Sequence, residues 1–207
     1  TPLSSVMYAE LLHDAGVPAG VFNMIQGDGP TAGAALSRHP DIEMMSFTGS
    51  TRAGTSVAKD SADGIKRVTL ELGGKSPNLV FADADLEKIV PEMVEFCYLN
   101  TGQSCDAPTR MLVERNCYDR VLEIAKKTAE ETIVDDPAKE GNHLGPLISD
   151  IQFDRVQTMI EKGIAEGARL LVGGLGKPDG FDKGYWVKPT IFCDASNDMA
   201  IAQQEIF

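Results

Sequence analysis

Cys105 stands in Asn100-Thr101-Gly102-Gln103-Ser104-Cys105-Asp106-Ala107-Pro108-Thr109-Arg110, a polar stretch punctuated by glycine and proline. An apolar helical run precedes it and an apolar strand follows. A loop pinned between two rigid elements can hold a reactive side chain in place yet leave it reachable. Buried structural cysteines have apolar neighbours and stay inert, whereas those of Cys105 are small or polar. A nucleophilic thiol and a plain loop cysteine both fit. Glu71 is the second candidate, between Leu70 and Leu72 at the end of an apolar strand and just before a double glycine. A carboxylate with apolar neighbours is costly unless it is used or paired. Partial burial would raise its pKa toward neutrality, which suits a general base. An alternating strand with Glu71 on the wet face is the other reading.

Two glycine-containing turns add a third chemistry. Gly27-Asp28-Gly29-Pro30 and Thr48-Gly49-Ser50-Thr51-Arg52-Ala53-Gly54 each follow a predicted strand and enter a helix. Such turns present backbone N–H groups at the positive end of a helix, where phosphate binds. The spacing Gly49 to Gly54 is neither the GxGxxG fingerprint nor a Walker A loop, so a tight βα turn fits equally well.

Regular elements must position these groups. Apolar spacing predicts a helix through Val6, Met7, Leu11 and Leu12, capped by Ser4 or Ser5 and stopped by Gly16 and Pro18. Strands are expected over 21–25, 43–47 and 66–72, and helices over 31–36 and from the glycine turn to about Ala62. Strand, glycine turn, helix, strand is the order of a parallel α/β sheet. Gly73-Gly74-Lys75-Ser76-Pro77 breaks this order and sets an expected boundary between domains 1–72 and 73–207. Beyond it the pattern predicts a strand over 78–81 and a helix to about Tyr98, capped by Asp83 or Asp85, with Pro91 inside. A strand over 110–114, a helix over 118–132, a loop over 134–146 and a helix over 151–164 follow. The reading closes with a strand over 169–172 and an extended segment over 185–193 interrupted by Pro189.

Composition narrows the partners. The net charge of -12 argues against nucleic acid and against an acidic membrane surface. No apolar run approaches the length of a membrane span, and no signal peptide opens the chain. Cys97, Cys105, Cys117 and Cys193 lack paired spacing, which predicts free thiols and a cytoplasmic location. His13, His39 and His143 are scattered singly, so no metal site is expected. The chain begins at Thr1 without a Met and ends inside an apparently continuing segment, and it reads as a piece of something longer.

Phe47-Thr48-Gly49-Ser50-Thr51, Leu70-Glu71-Leu72-Gly73-Gly74-Lys75-Ser76-Pro77, Gly102-Gln103-Ser104-Cys105 and Gln204-Glu205-Ile206-Phe207 occur in this order. Together they resemble the NAD(P)-dependent aldehyde dehydrogenase superfamily over essentially the whole chain, and the Glu71 to Cys105 separation fits. The resemblance implies part of a parallel α/β cofactor-binding domain followed by most of an α/β catalytic domain. It makes Cys105 the nucleophile and Glu71 the general base. Thr48, Gly49, Ser50 and Gly54 would form the turn at the pyrophosphate of NAD or NADP, and Gly29 would lie near the adenine side. Leu72 would touch the nicotinamide, and Glu205 and Phe207 would hold its ribose.

The implied reaction oxidises an aldehyde to a carboxylic acid, through a thiohemiacetal and a thioester on Cys105 that water activated by Glu71 hydrolyses. One oxyanion donor would be the backbone N–H of Cys105. Polar Ser104 and Asp106 beside it hint at a substrate with some polarity, such as a semialdehyde. Family members are more than twice this length, so the family's oxyanion-hole Asn and its subunit-bridging arm are expected outside these residues. The isolated piece is expected to be inactive and the parent a homo-oligomer, dimer or tetramer. A dehydrogenase that passes the acyl group to coenzyme A, and a non-catalytic homologue, are the alternatives; the presence of Glu71 and Cys105 argues against them.

Overall fold

One parallel ladder carries the glycine turn ahead of Thr51. In the computed structural model, which describes residues 2–207, β1 (Met44–Gly49) pairs in parallel with β2 (Arg67–Leu72). The register sets Thr48 opposite Glu71 and Gly49 opposite Leu72. Between them runs α3 (Thr51–Ala62), the crossover that a parallel pair requires. The Ser50 hydroxyl caps it by accepting from the Ala53 N–H at 3.3 Å. Gly54 is buried, and a Cβ there would fall 2.6 Å from Leu72 Cδ2, so its lack of a side chain lets α3 lie close on β2. These elements belong to the first of two compact units, Thr1–Leu72 and Gly73–Phe207.

Three expectations in this unit need correction. The first helix, α1 (Pro2–Asp14), starts at Pro2, so Ser4 and Ser5 lie inside it rather than at its cap. Proline suits a first helical turn because its missing N–H has no partner to lose. The apolar run 21–25 is not a strand. It has only an isolated bridge, Ala19 to Phe22, and Val21 and Ile25 are exposed; a strand needs a ladder partner. The helix expected at 31–36 comes in two pieces, a π turn at Gly29–Gly33 and then α2 (Ala34–Arg38). Asp28 caps the π turn by accepting from the Thr31 N–H at 2.8 Å. This bond is the second-largest cause, after the Thr31 hydroxyl, holding the Asp28 carboxyl below its ordinary pKa.

The second unit opens with another parallel pair, β3 (Pro77–Val80) beside β4 (Arg110–Val113), joined through α4 (Leu86–Tyr98). Asp85 stands at the cap position of α4, and the helix continues through Pro91. After β4 the amphipathic α5 (Tyr118–Glu131) packs Val121, Ile124, Ala125 and Ala129 against Val80, Val90 and Val94. This is the main core. A smaller cluster joins Met159 of α6 (Asp150–Ala165) to Ala168 and to Ile201 of α7 (Ala200–Gln203). A separate two-stranded sheet is antiparallel: β5 (Arg169–Val172) pairs with β6 (Ile191–Cys193). Gly173 and Gly174, both at positive φ, turn the chain out of β5.

Candidate active site

The predicted cofactor turn in the first unit is built from backbone. Thr48 and Gly49 prove to be the last two residues of β1 rather than part of the loop, and Ser50 is the one residue between strand and helix. The first-turn N–H groups of α3 therefore open at the end of the parallel ladder, a fit for an anionic phosphate. Glu71 and Leu72 share that end through their pairing with Thr48 and Gly49. Gly29 lies in the separate π turn capped by Asp28. Exposure alternates strictly along β2, with Val68, Leu70 and Leu72 half-buried and Arg67, Thr69 and Glu71 exposed. The partial burial expected for Glu71 is therefore absent from this unit, since period-two alternation turns its side chain away from Leu70 and Leu72.

Cys105 in the second unit is exposed, and its loop is fixed by side chains. Past α4 the backbone turns left-handed at three consecutive residues, Asn100 (φ 54), Thr101 (φ 59) and Gly102 (φ 76). Asn and Gly tolerate this region, but a β-branched Thr is strained there. Asn100 Nδ2 donates to the Gln103 carbonyl at 3.0 Å, and Gln103 Nε2 donates to the Asn100 carbonyl at 3.0 Å. Two longer ties reach a distant segment. Thr101 Oγ1 donates to the Gly145 carbonyl and Gln103 Oε1 accepts from the Ile148 N–H, both at 3.0 Å. Behind the thiol, Ala107 is buried and its N–H returns to the Ser104 carbonyl at 3.3 Å. The Ser104 hydroxyl donates to Asp106 Oδ1 at 2.5 Å, so these two polar groups partly satisfy each other. Among the described residues none accepts the Cys105 backbone N–H.

Glu205 is half-buried and lies against the start of its unit: a Cβ on Gly73 would fall 1.9 Å from Glu205 Oε2. Gln152 Nε2 donates to the Ile206 carbonyl at 3.0 Å and also to that of Phe207, whose φ is 69. Glu205 and Phe207 are thus held at one end of α6, by Gln152 and by Arg155, which donates to the Glu205 carbonyl. Burial lowers the pKa of Lys75, and nearby Cys97 and, to a smaller extent, Glu205 partly offset it. Burial likewise pushes the Cys97 thiol up, which suits an unreactive core cysteine. Lys75, Cys97 and the Tyr98 hydroxyl, a buried group without a partner among the described residues, line a cavity of about 510 Å³. Cys105 does not line it. Sequence reasoning missed Thr101 and Gln103 as ties to residues 145–148, because bonds across that many positions leave no local periodicity.

No group of three or more His, Cys, Asp or Glu among the described residues could hold a metal ion, and no helix there is long and apolar enough to cross a membrane. The family model "Aldehyde dehydrogenase family" matches residues 1–207. A 3-succinoylsemialdehyde-pyridine dehydrogenase from a Pseudomonas species is 50% identical over 206 residues, covering 100% of this chain and 43% of the relative. The crystal structure of an aldehyde dehydrogenase from Bartonella henselae superposes with a TM-score of 0.96 at 51% identity, over 99% of this chain and 43% of that one. Aldehyde dehydrogenase C of Pseudomonas syringae, a mutant in complex with NAD+ and octanal, gives 0.97 at 49% identity, over 99% and 42%. The chain therefore spans less than half the length of these relatives. It belongs to the aldehyde dehydrogenase family.

Proposed function

We propose that these residues form the nucleotide-facing turn and the nucleophile loop of an enzyme that oxidises an aldehyde to a carboxylic acid. The observation that carries this reading is the Cys105 loop: an exposed thiol on a strained, side-chain-tied backbone whose own N–H is left without an acceptor among the described residues. Strain of this kind persists where the surroundings over-determine it, and it gathers at active sites. Relatives recorded with NAD+, and in one case octanal, support the cofactor and the substrate class.

In this reading the Cys105 thiolate adds to the aldehyde carbon, and the Cys105 N–H donates to the oxyanion that forms. The turn of Gly49, Ser50 and Gly54 would hold the pyrophosphate of NAD or NADP, with Gly29 toward the adenine. Leu72 would bear on the nicotinamide, and Glu205 and Phe207 on its ribose. When bound, that cofactor supplies the hydride acceptor. Glu71 takes a proton from water, which attacks the thioester carbon; the C–S bond breaks, the acid leaves and the thiolate returns. Residues 1–72 would serve as the cofactor part and 73–207 as the thiol-bearing part. We assign the complete activity, and any oligomer, to a polypeptide of the relatives' length.

The test is NAD- and NADP-linked oxidation of an aldehyde panel, semialdehydes and octanal included, by such a polypeptide carrying these residues. Cys105→Ala is expected to abolish turnover and Glu71→Gln to stall after one round of reduction. Full activity in Cys105→Ala would refute the reading. Turnover by residues 1–207 alone would refute the assignment to the longer polypeptide.

A further inference from the structure

Residues 145–148 are themselves pinned. The Leu144 N–H donates to the Ile133 carbonyl at 2.9 Å and the Asp135 N–H to the Leu144 carbonyl at 3.1 Å. The Leu147 N–H donates to the Tyr185 carbonyl at 2.9 Å, and the Leu147 side chain is buried. Thr101 and Gln103 bond this fixed segment from one side, one as donor and the other as acceptor. Gln103 uses the two ends of its amide for different tasks. Its oxygen takes the Ile148 N–H, while its nitrogen closes the turn on the Asn100 carbonyl. Two residues past Gln103 comes the thiol.

We infer that Thr101 and Gln103 are positioning residues that fix the backbone at Cys105, so that its N–H points where an oxyanion would form. The inference rests on the proposed role of Cys105 as nucleophile. It accounts for a β-branched residue at a left-handed position. Thr101 needs its hydroxyl for the Gly145 carbonyl, and glycine, which would relax the backbone, could not supply one.

Two thiol reactions on the intact 207-residue chain separate this role from a merely structural one. Acylation by p-nitrophenyl acetate passes through a tetrahedral oxyanion and releases nitrophenolate, leaving an acetyl thioester. Alkylation by iodoacetamide displaces iodide and forms no oxyanion. Both are read at Cys105 by peptide mass spectrometry. Gln103→Ala and Thr101→Val are expected to slow acylation of Cys105 about 10-fold, below the loss seen when an oxyanion donor is removed outright. Alkylation of Cys105 should stay within about 2-fold, because a displacement at carbon draws on no such donor. Thr101→Ser keeps the hydroxyl that donates to the Gly145 carbonyl and should recover most of the acylation rate, whereas Gln103→Glu keeps the acceptor for the Ile148 N–H but loses the donor to the Asn100 carbonyl and should recover only part of it.

Equal slowing of both reactions, or faster labelling of Cys97, would mean a loosened fold and overturn the inference. Unchanged acylation in both deletion variants, with Cys105→Ala unreactive, would overturn it and leave the nucleophile intact. Acylation that persists in Cys105→Ala would overturn the nucleophile itself.

Discussion

The two units hold their candidate groups by different means. In the first, the turn at Ser50 is set locally, by a parallel ladder, by the Ser50 hydroxyl that caps the next helix and by a glycine that admits close packing. In the second, the Cys105 loop is set by side chains that reach across the fold and hold a left-handed backbone. Their cores differ too. Every fully buried apolar side chain among the described residues, from Val80 to Ile201, belongs to the second unit. Among its described residues the first unit fully buries only Ser37, Ser61 and Gly54. A thiol that must meet a carbon atom at one angle needs a rigid frame.

This contrast can be broken at several scales. The largest expected effect is in native-state hydrogen exchange. Amides of β1, α3 and β2 should exchange at least about 100-fold faster than those of α4 and α5, because local opening follows buried apolar contact. Equal protection in the two units would remove the distinction. Gly54→Val comes next. It would drive a branched side chain into Leu72 and should cost the first unit about 2 kcal/mol, the range of core overpacking, with the melting of the second unit unchanged. Ser50→Ala should cost about 1 kcal/mol by loss of the cap, and Ser50→Asp should hold the helix, both read by denaturant melts.

The smallest effect is a pH dependence of the second unit. Asp194, at φ 55, accepts from Arg169 Nε at 2.7 Å and from the Tyr118 hydroxyl at 2.8 Å. These bonds, Arg169 first, hold its carboxyl below the ordinary value of 3.8. Because the folded pKa is depressed, the stabilisation is complete above the unfolded pKa and is lost as pH falls through the folded one. Melting of the second unit should therefore drop on acidification below about pH 4, and Asp194→Asn should flatten that drop. Half-exposed groups make the change small.

Much of the fold was legible because its signals are local. Apolar periodicity located α5 and α6 to within a residue or two, and the glycine turn ahead of Thr51 marked the start of α3. The segment 21–25 misled because β-rich composition states a preference, whereas a strand exists only with a partner. Leu70 and Leu72 around Glu71 suggested burial, yet side chains of neighbouring strand residues point to opposite faces. In the candidate site, residue type and surroundings singled out Cys105 and Glu71. The ties from Thr101 and Gln103 were invisible, since Gly145 and Ile148 approach them only once the chain has folded.

The central claim is that Cys105 carries the acyl group and Glu71 releases it. Its most direct test is intact-mass and peptide mass spectrometry of the Glu71→Gln variant, in a polypeptide of the relatives' length, after mixing with octanal and NAD+. The account predicts one acyl group on the Cys105 peptide, one equivalent of reduced cofactor, and no further turnover. Steady turnover without any acyl adduct, or an adduct on Cys97, Cys117 or Cys193 instead, would contradict it.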